Sequence, residues 1–145
     1  MRNAGLRELE GLIGDWKLSM ANAWFLENQN IEDAGSATIS WLGDAFLELR
    51  ATLGSDQGNW HWVIGRSDPR EEFALLYHDE RGVCRVFDMT FAGGQWTLVR
   101  EDPDFHQRFF ATVESDRIVG RWEASEDLGK TWRIDFDLTF ERRGS

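Results

Sequence analysis

The chain has 145 residues, with 26 acidic and 16 basic side chains and a formal net charge of −10. This length lies within the usual range of about 100–200 residues per domain and predicts one domain spanning residues 1–145. The negative charge argues against nucleic acid and anionic membrane surfaces as partners, because binding to phosphates relies largely on Lys and Arg.

The cysteine content and the apolar patterning indicate where the protein works. Cys84 is the only cysteine, so no disulfide can form within the chain. Residues 1–14 lack the apolar run of a signal peptide, and no stretch of about 18 apolar residues predicts a transmembrane helix. We therefore expect a cytoplasmic protein without a membrane partner.

The first predicted element is a short amphipathic helix at about residues 4–13. Leu6, Leu9, Leu12 and Ile13 recur at spacings typical of one helical face, and Gly14 follows as a stop signal. After Gly14 the helical period disappears.

From residue 14 to about residue 142 the sequence predicts short strands separated by turns. Turn residues occur at Gly43-Asp44, at 54–59, at 67–69 and at Gly93-Gly94. Within 132–141, aromatic and aliphatic side chains at even positions alternate with polar ones at odd positions, so the odd positions are expected to face solvent.

About ten strands in sequence-adjacent hairpins predict the architecture. We expect an all-β antiparallel up-and-down barrel, because a sandwich usually needs Greek-key connections and because closure removes exposed edge strands. The chain contains 8 Trp and 10 Phe against 2 Pro, which indicates a broad aromatic interior.

A short motif opens the first predicted strand. Gly14-Asp15-Trp16 resembles the Gly-x-Trp signature of the lipocalin (calycin) superfamily, and Arg142 resembles the late arginine that stacks on the Trp ring there. The wider pattern is similar to bacterial lipocalin-like proteins without an assigned function, and more distantly to fatty-acid-binding proteins and nitrobindins. The resemblance implies a barrel with an internal cavity and supplies no substrate.

Residues 125–132 resemble another motif, the Asp box of sialidase propellers, Ser-x-Asp-x-Gly-x-Thr-Trp. Asp127 is expected to accept backbone N–H groups across a hairpin, Gly129 to supply an unusual φ, and Trp132 to pack beneath. A propeller needs several blades and this box occurs once. We therefore interpret it as a clasp between the last two strands.

Metal and nucleophile motifs are missing from the sequence. His61, His78 and His106 lie on separate segments without metal-ligand spacing, and no Gly-x-Ser-x-Gly elbow occurs. Cys84 is interpreted as a buried, unreactive thiol. We predict no cofactor and no metal, and we make no assignment of catalytic residues.

Polar side chains within aromatic segments indicate a ligand site. Arg108 lies between His106 and Phe110, and a lone charge inside a barrel is costly unless it is paired, so it is predicted to anchor a ligand carboxylate or phosphate. The predicted lining of the cavity combines this anchor with aromatic and sulfur-containing side chains, namely Trp62, Tyr77, Met89, Arg108, Phe110, Trp122 and Phe136.

The leading hypothesis is therefore a binding module for a small apolar or amphipathic, and in some cases anionic, ligand. Three alternatives stay open at this point. One is an isomerase, cyclase or hydratase that uses Tyr77, Asp88 and Arg108. The others are a nitrobindin-like haem protein with one axial His, and a structural or dimerising domain that forms a homodimer through apolar residues.

Overall fold

The computed structural model describes residues 3–54, 58–67 and 69–144. These residues form one 3-10 helix, Ala4–Leu12, followed by ten strands. The strands are β1 (Gly14–Ala21), β2 (Ile31–Leu42), β3 (Phe46–Leu53), β4 (Asn59–Ser67), β5 (Glu72–Asp79), β6 (Cys84–Ala92), β7 (Gln95–Glu101), β8 (His106–Val113), β9 (Arg117–Ser125) and β10 (Arg133–Arg142). The predicted turns at 54–59 and 67–69 include residues 55–57 and 68, which lie outside the described residues.

Each strand pairs antiparallel with its neighbours in the chain, and β1 also pairs with β10, so the sheet closes into a barrel. This topology confirms the predicted all-β, ten-stranded, up-and-down barrel. Closure pairs both edges of the sheet and so removes the unpaired backbone groups that an open sheet would present.

The predicted amphipathic helix forms as a 3-10 helix and ends at Leu12, one residue earlier than expected. Leu6, Leu9 and Leu12 are fully buried on its inner face. Their three-residue spacing matches the three residues per turn of a 3-10 helix, so they line up in one row. Ile13 is already extended, with φ −62° and ψ 130°.

Trp16 and Arg142 close the barrel end beside this helix. The Arg142 guanidinium carbon lies 4.2 Å from the centre of the Trp16 ring. The Trp16 indole N–H donates to the Leu12 carbonyl at 3.0 Å. The stacking that the lipocalin resemblance implied for this pair is present.

The interior divides into a filled half and a hollow half. Neighbouring strands run in opposite directions. The start of β1 and the end of β10 therefore lie at one end of the barrel, and the end of β1 and the start of β10 lie at the other end. The half near the helix is filled by fully buried side chains, among them Leu47, Leu75, Met89, Leu98 and Phe140. The space that side chains leave unfilled lies in the other half.

Within the described ranges, no helix combines the length and apolar character needed to cross a bilayer.

The last strand departs from the predicted alternation at one point. Leu138 and Phe140 are buried as expected, but a register shift separates Ile134 from Phe136 in the pairing with β9. Ile134 is consequently 38 % exposed, and the expectation that it faces inward was wrong. The same shift brings Asp135, expected to face solvent, to the open end of the interior.

The Asp-box segment joins β9 to β10 as the predicted hairpin clasp. Asp127 Oδ1 accepts hydrogen bonds from the Thr131 amide and the Ser125 hydroxyl, both at 2.8 Å, and Oδ2 accepts from the Thr131 hydroxyl at 2.5 Å. Gly129 has φ +86°, in the left-handed region, and Trp132 donates to its carbonyl at 3.2 Å. The motif has a structural role here.

Candidate functional site

The hollow half of the barrel contains a cavity of about 670 Å³ that opens at the end opposite the helix. This volume lies within the range of about 300–1,000 Å³ that is typical of ligand pockets. Its lining contains many aromatic and a few charged side chains. Among the lining residues are Trp24, Phe25, Trp60, Trp62, Tyr77, Arg85, Phe87, Phe105, Gln107, Trp122, Asp135 and Phe136.

The floor of the cavity is a cluster of aromatic rings in edge-to-face and tilted contact. The ring of Trp122 lies 6.2 Å from Trp62, 5.5 Å from Phe87 and 4.9 Å from Phe109. Gly120 makes this packing feasible, because a Cβ at that position would clash with the Phe109 ring. The floor is thus formed by closely packed aromatic rings.

Four of the predicted lining residues line the cavity: Trp62, Tyr77, Trp122 and Phe136. Met89 is fully buried but lies in the filled half, deeper along β6 than Phe87. Its side chain belongs to the packed core and not to the cavity lining.

Arg108 and Phe110 lie on the outer surface, which differs from the expectation that they face the interior. On β8 the buried positions are Gln107, Phe109 and Ala111, so the residues between them point outward. A one-residue error in parity moves a whole set of side chains to the other face of a strand. Arg108 instead forms a 2.8 Å ion pair with Glu123.

Tyr77, Asp79 and Arg81 form a hydrogen-bonded network on the cavity wall. The Tyr77 hydroxyl donates to Asp79 Oδ2 at 2.7 Å, and Arg81 donates to the same oxygen at 2.6 Å. Burial, together with the neighbouring Asp79 carboxylate, raises the pKa of Tyr77 to about 12. Burial opposes ionisation of Asp79, but the hydrogen bonds from Arg81 and Tyr77 outweigh it and lower its pKa to about 2. Tyr77 is therefore a neutral donor.

Residues 22–30, the mouth segment, connect β1 to β2 at the open end of the barrel. Trp24 and Phe25 belong to the lining and are also 56 % and 44 % exposed. The Trp24 indole N–H donates to Asp135 Oδ1 at 2.8 Å, and the Phe25 ring meets Phe136 edge-on at 5.6 Å. This mouth segment thus forms part of the cavity wall while presenting apolar surface to solvent.

Arg85 is a cavity residue that the sequence reasoning missed. It lies on β6, opposite Tyr77 on β5, and lines the cavity. Burial and then the positive charge of Arg100 lower the pKa of Arg85. The alternation of Phe87, Met89 and later inward residues on β6 is the signal that could have found it, because Arg85 has the same parity.

The residues proposed for an enzyme do not converge. Tyr77 lines the cavity, whereas Asp88 lies outside on β6 and pairs with Arg70 at 3.6 Å. Arg108 also lies outside. A general acid, a base and an anion stabiliser must meet within hydrogen-bond reach of one reacting group. The sheet separates Tyr77, which faces the cavity, from Asp88 and Arg108, which face outward.

Two of the histidines form an outer-surface network. His61 Nε2 lies 2.8 Å from Glu48 Oε2, and His61 Nδ1 lies 2.8 Å from His78 Nε2. His106 packs near Trp132, with ring centres 6.4 Å apart. The lining of the cavity contains no histidine among the described residues, so an axial haem ligand is missing there.

Possible metal ligands do not cluster in the described part of the chain, and Cys84 does not line the cavity. In the part of the chain that the structure describes, no group of three or more His, Cys, Asp or Glu is placed to hold a metal ion. Cys84 lies opposite His78 and is exposed, so the expectation that it is buried was wrong. Cys84 is the first residue of β6, and its side chain faces outward. The inward-facing positions of this strand begin at the next residue, Arg85.

The closed ten-stranded barrel with its N-terminal helix fits a calycin-like fold. No protein-family model matches the chain, and no curated protein matches it either.

Proposed function

We propose that the chain binds a small apolar or amphipathic molecule inside the open half of its barrel. The observation that carries this proposal is the cavity of about 670 Å³ with an aromatic floor. A barrel built only for stability would fill both halves, because each unfilled methyl-sized void costs about 1 kcal/mol. Here one half is packed and the other is hollow. The Trp16–Arg142 pair further supports a relationship to lipocalin-like proteins.

The lining changes character from floor to mouth, and this gradient favours an amphipathic ligand. Trp62 and Phe87 at the floor are nearly or fully excluded from solvent. Asn59, Tyr77 and Asp135 line the wall nearer the mouth and carry polar groups. A ligand with an apolar body and a polar end would match both parts of the lining.

The proposal is tested by binding of N-phenyl-1-naphthylamine, a neutral dye that fluoresces in apolar surroundings. We expect saturable binding of one dye per chain, with energy transfer from the tryptophans of the floor. Native mass spectrometry of the protein as isolated serves as the second measurement, with a bound small molecule as the expected result.

Two Ala→Phe substitutions, one inside the cavity and one outside it, test where the dye binds. Ala124 lines the cavity and is 3 % exposed, so Ala124→Phe should reduce dye affinity by at least about tenfold by filling space. Ala92 is exposed at the far end of β6, and Ala92→Phe should leave the affinity unchanged. Equal dye binding by both variants, or no binding by the parent protein, would contradict the proposal.

A further inference from the structure

We propose that Arg85 is the anchor for an anionic group of the ligand, and that the class of ligand is an organic anion. In this arrangement the carboxylate, sulfonate or phosphate of the ligand lies on Arg85 near the mouth and its apolar body lies on the aromatic floor. This inference rests on the proposed binding function and adds the charge and the orientation of the ligand.

The first observation is that Arg85 lacks an acidic partner while the arginines around it have one. Arg81 pairs with Asp79 at 2.6 Å, and Arg100 pairs with Asp102 at 2.9 Å. Among the described residues, the Arg85 side chain forms no ion pair and no hydrogen bond, and its guanidinium contacts aromatic rings instead. It is nevertheless half-buried and lines the cavity.

Aromatic contacts, not hydrogen bonds, hold the Arg85 side chain. Its guanidinium carbon lies 4.9 Å from the centre of the Phe105 ring and 6.0 Å from the centre of the Tyr77 ring. Phe105 in turn contacts Arg100, at 4.6 Å. Stacking uses the face of a guanidinium and leaves the N–H groups on its edge available. Arg85 is therefore positioned while its donors stay unused.

The Arg85 guanidinium lies in a partly buried position, where a charge is less well solvated than in water. A cation that is partly withdrawn from water loses solvation, and aromatic faces return only about 0.5–2 kcal/mol of it. A carboxylate or phosphate that accepts two parallel N–H bonds from the guanidinium edge would offset the remainder. The cavity thus contains a charged donor group, the Arg85 guanidinium, whose demand only a ligand or water can meet.

The carboxylates of the lining do not create an equivalent demand for a cation. Asp79 accepts hydrogen bonds from Tyr77 and Arg81. Asp135 accepts from Trp24 at 2.8 Å and, on its other oxygen, from Gln107 Nε2 at 3.3 Å. Each of these carboxylates has donors within the protein, so neither of them requires a cationic group from the ligand.

The remaining two acidic side chains of the lining are also engaged. Glu80 accepts from the Asn59 side chain at 2.6 Å, and Glu126 lies 3.4 Å from Arg133. Arg85 is therefore the charged group of the lining without a polar partner among the described residues.

The position of Arg85 along β6 sets the orientation of the ligand. Phe87 follows on the same face and belongs to the floor, in contact with Trp122 at 5.5 Å. Two residues of strand span about 7 Å. A compact ring system attached to an anionic group can therefore contact the floor while its charge lies on Arg85.

The test uses two dyes that share one ring skeleton. 8-Anilino-1-naphthalenesulfonate is N-phenyl-1-naphthylamine with an added sulfonate, so a comparison isolates the contribution of the anion. We expect the parent protein to bind the sulfonate dye more tightly than the neutral dye. In Arg85→Gln the affinity for the sulfonate dye should fall by about tenfold or more, as expected for hydrogen bonds to a charged group, with unchanged affinity for the neutral dye.

Arg117→Gln is the matched control because it removes the same charge from an exposed position at the start of β9, near the closed end. It should leave both affinities unchanged. Arg85→Lys keeps the charge without the forked geometry and should recover only part of the affinity for the sulfonate dye.

The outcomes separate this inference from the proposed function. Saturable binding of the neutral dye, combined with equal sulfonate affinity in Arg85→Gln and the parent protein, would overturn the anion anchor alone. Failure of both dyes to bind the parent protein would overturn the binding function as well. An equal loss in Arg117→Gln and Arg85→Gln would attribute the effect to net charge and would also overturn the anchor.

Discussion

Arg142 and Trp16 form the closure of the barrel end opposite the cavity. The guanidinium lies 4.2 Å above the indole, and its N–H groups donate to the Gly11, Ile13 and Ser115 carbonyls at 2.7, 2.7 and 2.8 Å. One side chain thereby connects the helix, the turn before β9 and the last strand. This closed end lies opposite the cavity in which we propose that a ligand binds.

Loss of this connection should destabilise the protein. Arg142→Met keeps much of the side-chain volume but removes the cation–π contact and the three hydrogen bonds, so the free energy of unfolding should fall by about 2–4 kcal/mol. Urea unfolding followed by tryptophan fluorescence measures this change. Arg143 supplies the control, because its only described ion pair is with the exposed Asp33, at 3.7 Å. Arg143→Gln should change stability by less than about 0.5 kcal/mol, and an equal effect of both substitutions would contradict the assignment.

The Asp-box clasp should open only in strong acid. Hydrogen bonds from the Thr131 side chain and amide, and then from Ser125, hold the pKa of Asp127 far below its usual range. A carboxyl group whose pKa is lowered on folding stabilises the folded state above its unfolded pKa of about 4, and this contribution is lost as the pH falls through the lowered value. The chemical shift of the Thr131 amide proton should therefore stay constant down to pH values below about 4.

The control for the clasp is Asp127→Asn, which should abolish the acid transition of the Thr131 amide and weaken the hairpin at neutral pH. A transition of that amide near the usual pKa of an aspartate would show that the clasp is absent in solution.

Tyr77 is the only tyrosine of the chain, so its ionisation can be followed without overlap from other phenols. Burial and the Asp79 carboxylate raise its pKa to about 12. The stabilisation that comes with a raised pKa is complete below the unfolded value of about 10 and is lost as the pH rises through about 12. Phenolate absorbance should accordingly show a midpoint near 12, and Asp79→Asn should lower it.

The matched control for this titration is Tyr77→Phe, which should remove the absorbance change and the loss of stability that ionisation of Tyr77 causes between about pH 10 and pH 12. A midpoint near 10 in the folded parent protein would contradict the buried network.

The mouth segment should control how quickly a ligand leaves. Trp24 is held by its hydrogen bond to Asp135 and by the Arg133 guanidinium, 4.6 Å from its ring centre. Trp24→Ala removes both contacts, so the dissociation rate of N-phenyl-1-naphthylamine should rise by about tenfold in stopped-flow dilution. Leu128, 66 % exposed on the β9–β10 hairpin and absent from the cavity lining, provides the comparison. Leu128→Ala should leave the rate unchanged, and a rate unaffected by Trp24→Ala would exclude a gating role for the segment.

Local patterns in the sequence were sufficient for the architecture. Period-two alternation between regular turns predicted ten antiparallel strands, and three-residue spacing of Leu6, Leu9 and Leu12 predicted the helix. Trp16 and Arg142, far apart in the chain, could be paired through the resemblance of their motifs. These features depend on residues close in sequence or on a recognisable signature.

The candidate site depended on information that local patterns do not contain. Alternation identifies two faces of a strand but not which face is inside, so Arg108 was expected within the cavity and Arg85 was missed. The register shift before Phe136 similarly moved Asp135 to the mouth. Only closure of the sheet, with each strand fixed against two neighbours, decided the inward face and the division into a packed and a hollow half.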